Sequence, residues 1–182
     1  MGAAAAFVRF AETINDYVGR TVGWLTLATV LICATVVFIR YVLSTGFVWM
    51  QELYVWTHAG AFMLGAGYTL LADKHVRVDI LYAKRSERTR AWLDLFGTIV
   101  FLFPWILVLT WYSWTYVLSS WKLMETSQQV GGMPGLYVLK TAILSFCFLM
   151  FLQGLAICGR CILVLADQGD RVPRRPIFSL GQ

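Results

Sequence analysis

Thr21 to Ile39 reads TVGWLTLATVLICATVVFI, a run that contains no charged side chain. A helix needs about 20 mostly apolar residues to cross roughly 30 Å of hydrocarbon. This stretch therefore has the length and chemistry of a membrane span. Three more follow: Leu53 to Ala72, Leu95 to Trp121, and Thr141 to Gly159, the last able to continue past Arg160 to Ala166. Backbone polar groups in lipid must be satisfied within the segment, so each reads as a helix.

The composition around these stretches agrees. Of 182 residues, 59% are hydrophobic and only 14% are charged, with a mean hydropathy of +0.67. A soluble domain carries about 25% charged residues, and a small one must clothe a large surface. The composition also excludes a disordered chain and a nucleic-acid-binding arm. The expected fold is an all-α integral membrane protein with four transmembrane helices in a single domain over residues 1–182. The spans are expected at about 21–43, 52–72, 93–121 and 137–165, with a tail over 167–182.

Lys and Arg placement sets the orientation. The loop after the second span carries Lys74, Arg77, Lys84, Arg85, Arg88 and Arg90, the N-terminal segment Arg9 and Arg20, and the C-terminal end Arg160, Arg171, Arg174 and Arg175. The other side holds only Arg40, Lys122 and Lys140. Both termini and the middle loop are thus expected in the cytoplasm. Membrane lipid headgroups account for the basic loop, and no nucleic acid is needed as a partner.

Before the first span, Phe7, Phe10, Ala11, Ile14, Tyr17 and Val18 recur at helical spacing, while Arg9, Glu12, Asn15 and Asp16 fall mostly elsewhere on the wheel. That pattern predicts an amphipathic helix over about 3–19, lying flat in the cytoplasmic interface. The competing reading is a downward extension of the first span.

Catalytic chemistry is not visible. No phosphate-binding loop, dinucleotide turn or nucleophile elbow occurs, and no catalytic residue or metal ligand set is expected. Cys158-Gly-Arg-Cys161 matches a redox spacing, but zinc would need two more ligands and the site falls in a reducing compartment. His58 lies in the second span and His75 beyond it, so a haem with two facing axial histidines is disfavoured. His58 reads best as a polar residue bonded to a neighbouring helix. No cofactor is expected.

Several polar positions sit where partner contact is plausible. Arg40 and Gln51-Glu52 face each other across the first hairpin, so Arg40 either pairs with Glu52 or snorkels to water. Ala61-x-x-x-Gly65 allows close helix approach. His75-Val76-Arg77-Val78-Asp79-Ile80 alternates with period two and suits a segment held against another surface. Gly131-Gly132-Met133-Pro134 is a turn signal, and Gln153 inside the fourth span calls for an interhelical hydrogen bond.

The ordered succession of these strings carries a resemblance. It runs through Gln51-Glu52-Leu53 with Trp56, Gly65-Ala66-Gly67-Tyr68-Thr69-Leu70, His75-Val76-Arg77-Val78-Asp79 and Ser120-Trp121 with Glu125 and Ser127. It continues through Gly131-Gly132-Met133-Pro134, Lys140 and Gln153-Gly154. Over roughly residues 20 to 160 the chain resembles the small membrane subunit, the DctQ type, of tripartite ATP-independent periplasmic (TRAP) transporters. Lys74 stands where a glycine is usual, and Met133 where a leucine is usual.

The resemblance implies a bacterial inner-membrane subunit that binds a large M-type (DctM) permease subunit. In such systems the permease carries substrate, usually a carboxylate, with a coupling ion, and a periplasmic substrate-binding protein delivers it. The small subunit enlarges the static scaffold and holds no substrate site. On this reading Gln51, Glu52 and Trp56 help form the outer half of the interface with the permease. His75, Arg77 and Asp79 fix the cytoplasmic turn. Glu125, Ser127 and Lys140 shape an outer loop that the binding protein touches. Two readings from other classes stay open: a haem- or quinone-linked anchor of a redox complex, and a small autonomous oligomeric transporter.

Overall fold

A computed structural model describes residues 2–75 and 85–166. Among these the chain is helical throughout, without strands. The helices are α1 (Ala3–Val42), α2 (Val48–Leu71), α3 (Glu87–Gly97), α4 (Phe103–Lys122) and α5 (Leu136–Leu165). A π-helical turn, Thr98–Leu102, joins α3 to α4, so that Glu87–Lys122 forms one rod. The expected tail and the alternating stretch after His75 lie outside the described residues.

The π turn has a local cause. Pro104 has no N–H, and its ring would meet the carbonyl of Val100 in a regular helix. The chain instead widens by one residue, and the Phe103 N–H donates to the Thr98 carbonyl.

Helix ends are set by backbone geometry. Asp73 and Met124 adopt positive φ, +55° and +46°. At each, the next N–H reaches back five residues, Lys74 to Thr69 at 3.0 Å and Glu125 to Ser120 at 3.1 Å. These are the reversed closing turns that satisfy the last carbonyls of a helix. Ser86 opens the rod, its hydroxyl accepting from the Thr89 N–H. Gly135, with φ +86°, opens α5 in a conformation that favours glycine.

The helices run up, down, up, down. Gly19 meets Tyr68, Val22 meets Gly65, Leu25 meets Gly60, and Thr29 bonds Thr57 at 2.8 Å. Numbers rise on α1 as they fall on α2, so the two lie antiparallel along their length. The rod and α5 are antiparallel as well: Phe103 packs on Phe151 and Gly154, Ile106 on Cys147 and Met150, and Trp121 on Tyr137. Helix α5 touches every other helix. Its most apolar stretch is 39% buried, against 6% for that of α1, which makes α5 the axis of the molecule.

Among the described residues three helices are long and apolar enough to cross a membrane: α1, the Glu87–Lys122 rod and α5. Helix α2 is long enough, at 24 residues, but is not among them.

The N-terminal segment corrects an expectation. It continues α1 without a break instead of forming a separate flat helix. Its polar face is the inner one: Glu12 and Asn15 are almost fully buried, while Phe10 and Tyr17 are 61% and 72% exposed. The moment was real, but it points the other way. The polar side chains find partners on α5, and Val8 and Ala11 pack with Leu152 and Ala156 around them.

Candidate functional site

Two sets of polar contacts tie the helices together near opposite ends of α5. The outer set folds the loop between α4 and α5. Because Met124 turns the chain back, Glu125 sits over the end of α4 and accepts from the Ser120 hydroxyl at 2.6 Å. Lys140 of α5 pairs with the same carboxylate and lies 4.1 Å from the centre of the Tyr116 ring. The Lys140 ammonium, and after it the Ser120 hydroxyl, hold the Glu125 carboxyl below the ordinary glutamate range.

Farther along this loop the Ser127 N–H donates to the Met133 carbonyl at 3.1 Å, closing the Gly131-Gly132 turn. Glu52 of α2 enters that turn. It accepts from the Ser127 hydroxyl and from the Met133 N–H, the latter at 2.6 Å. One carboxylate therefore fixes both arms of the loop to α2. Gln51, Glu52, Val55 and Trp56 line a groove of about 450 Å³ with Ser127, Gln128, Gln129, Leu136 and Leu139.

The inner set joins α1 to α5. The Arg160 guanidinium donates two bonds to the two oxygens of Glu12, the fork-to-fork geometry that suits arginine. One turn along α1, the Asn15 amide donates to Gln153 Oε1 at 3.1 Å and to the Leu149 carbonyl at 3.4 Å. Asp16 pairs with Arg20 at 3.0 Å. Lys140 and Arg160 are the only charges on α5. They stand 20 residues apart, roughly 30 Å of helix, which matches the hydrocarbon thickness.

Glu52, Glu125, Ser127 and Lys140 thus come together at one end, with Gln51 and Trp56 beside them. Gly65 packs against Val22, 3.9 Å from where a Cβ would stand. Gln153 is buried and bonded across to α1. His75 is exposed and contacts Thr69 Oγ1 through Nδ1 at 3.2 Å. Arg77 and Asp79 lie outside the described residues. Arg40 is exposed and forms no pair with Glu52, whose carboxylate is turned toward the outer loop. His58 is also exposed, rather than bonded to a neighbouring helix.

Sequence reasoning missed the partners of the inner set. Glu12, Asn15 and Asp16 share one stripe of α1, and Gln153 and Arg160, seven residues apart, share one stripe of α5. Matching polar stripes on two helices was the available signal. Cys158 and Cys161 are free thiols on α5. Among the described residues no three His, Cys, Asp or Glu side chains gather in a metal-binding group.

The polar contacts of this arrangement tie helix to helix and loop to helix. Its carboxylates are engaged as acceptors, and what it does is fix helices. Comparison with curated proteins and with solved structures gives no match. The family described as "Tripartite ATP-independent periplasmic transporters, DctQ component" matches residues 28–162, from within α1 to within α5. The chain belongs to that family and is a small membrane subunit of a TRAP transporter.

Proposed function

We propose that this subunit is a fixed scaffold that binds the large M-type permease and supports ion-coupled uptake of an organic anion, a carboxylate, delivered by a periplasmic binding protein. The observation that carries the reading is the pair of polar clamps on α5. Glu125–Lys140 with Glu52 at one end, and Glu12–Arg160 with Asn15–Gln153 at the other, hold the helices against sliding. A part that stays still while a partner moves needs such fixed ends.

Helix α2 is the fourth span. It lies antiparallel beside α1, in contact from Gly19–Tyr68 to Thr29–Thr57. If α1 crosses the bilayer, a helix packed along it at the same depth crosses too. The termini then share one side, the cytoplasm of an inner membrane, which agrees with the Lys and Arg distribution. Gln51, Glu52 and Trp56 form the outer part of the permease contact, and the loop held by Glu125, Ser127 and Lys140 faces the binding protein. Arg40 reaches water near the same end.

The redox-anchor alternative has little support. The His75 ring turns back onto Thr69, which stands 11 residues, roughly 16 Å of helix, from His58, too far for both to share one iron.

The test is uptake in cells that keep the permease and the binding protein, with and without this chain. Transport should be lost without it while both other components persist. Unchanged uptake would overturn the proposal.

A further inference from the structure

We infer that the outward stripe of α2, centred on His58 and Phe62, is the surface on which a transmembrane helix of the permease subunit docks. The inference rests on the scaffold reading and names the face that reading leaves open.

At 3.6 residues per turn, Gln51, Val55, His58, Phe62 and Thr69 fall within an arc of about 60°. Val55 is 48% and Phe62 70% exposed, and His58 and Thr69 are exposed as well. The stripe spans 18 residues, about 27 Å, close to the full depth of the hydrocarbon core. That length fits a membrane-crossing helix better than a soluble domain, which would reach only one end.

The chemistry of the stripe separates it from the lipid-facing surfaces. Most outward positions on α1 and α4, such as Val30, Leu31, Leu107 and Val108, are apolar, with Tyr112 and Thr115 among the exceptions on α4. Lipid tails satisfy the apolar ones. His58 lies six residues, roughly 9 Å, inward of Glu52, and fifteen residues, roughly 22 Å, from Asp73 at the other end. An imidazole at that depth has ring nitrogens that lipid tails cannot bond. It makes no hydrogen bond to another described residue. The partner must therefore offer a hydrogen-bonding side chain or a free carbonyl opposite His58, and a recess for the Phe62 ring. This helix is covered by protein on both sides, by α1 and α5 within the chain and by the partner outside it. At its outer end the stripe runs, through Gln51 and Val55, into the groove beside Gln128 and Gln129. The contact continues there from the bilayer to the outer loop.

The experiment uses the complete complex in native membranes, with the photo-cross-linking residue p-benzoylphenylalanine placed at Val55 or Phe62. Trp111 of α4 and Val30 of α1 serve as control positions. Val55 and Phe62 should capture the permease, and the controls should not. In parallel, His58→Leu should lower recovery of permease with the chain by about threefold or more, the scale of one interhelical hydrogen bond. His58→Gln should retain most of it, with the amount of chain in the membrane unchanged. Capture from Trp111 or Val30 but not from the α2 positions would overturn the inference while leaving the scaffold reading intact. So would capture of only a second copy of this chain, or no capture from any position in an intact complex. If the unaltered chain recovers no permease at all, the scaffold reading itself falls, and the inference with it.

Discussion

At the scale of single residues, the Glu12–Arg160 pair is the most consequential contact. Glu12 is fully buried, and the Arg160 guanidinium is the cation that faces it. Removing one partner of a buried pair costs about 3–5 kcal/mol, whereas replacing both with apolar groups is often neutral. Arg160→Leu should therefore lower the melting temperature of the purified chain markedly. Adding Glu12→Leu to it should restore most of the loss, and a double variant no better than the single one would show that the pair is not the cause. Glu125 gives a second prediction, in pH. Its folded carboxyl is held below the ordinary glutamate range, first by Lys140 and then by Ser120. The unfolded group titrates near about 4.3. Above that pH the native carboxylate's advantage is fully present, and it is lost as pH falls through the lower native value. The outer loop should stay latched from pH 5 to 8 and release only in stronger acid. Trp121, whose indole N–H donates to Thr141 at 2.9 Å, reports on that end by its fluorescence. Glu125→Gln should remove the acid transition and loosen the loop already at neutral pH. A transition that survives in Glu125→Gln would assign it to another group.

At the scale of the helices, two glycines one turn apart on α1 separate packing from propensity. A Cβ at Gly19 would lie 2.2 Å from Cγ of Tyr68, too close to its backbone for the ring to swing clear. At Gly23 nothing stands within 4 Å. Gly19→Ala should push α1 from α2 and destabilise the chain by about 1–3 kcal/mol, the usual scale of overpacking. Gly23→Ala should be neutral or stabilising, by up to about 1 kcal/mol of helix propensity. Thermal melts of the two variants in detergent decide it, and equal effects would sink the argument. The elements themselves were legible because charge-free runs of 19 or more residues admit few other structures. What escaped had specific causes. An amphipathic wheel has a polar face but does not say whether water or protein meets it, and in the structure Glu12 and Asn15 meet α5. Pro104 by itself does not say whether its helix kinks or widens into a π turn. Glu52, Glu125, Ser127 and Lys140 could be picked out individually. Their pairing depends on a reversal at Met124, a residue type that rarely adopts positive φ.

At the scale of the whole molecule, the number of crossings decides where everything else stands. Hydropathy alone admits three spanning helices, and three would put the termini on opposite sides. The proposed function takes four. Helices α1 and α2 are joined by a short link and stay in antiparallel contact down to Gly19 and Tyr68, so a bilayer around one encloses the other. Helix α2 needs less apolar surface than a lone span because α1 and α5 cover much of it. Under four crossings the Lys and Arg residues divide twelve to one side and three to the other, the bias expected of a membrane protein. Single cysteines in a background where Cys33, Cys147, Cys158 and Cys161 are replaced by serine can report this directly. Under four crossings, a membrane-impermeant maleimide added outside spheroplasts should label Gln129→Cys, while Ala4→Cys and Glu87→Cys should react only after the membrane is opened. If α2 lay on the outer surface instead, the rod would begin outside, and Glu87→Cys would react at once while Gln129→Cys would be shielded. The two arrangements thus predict opposite labelling at the same two positions. The second pattern would remove the bilayer from around His58 and Phe62, and with it the reason to expect a transmembrane partner there.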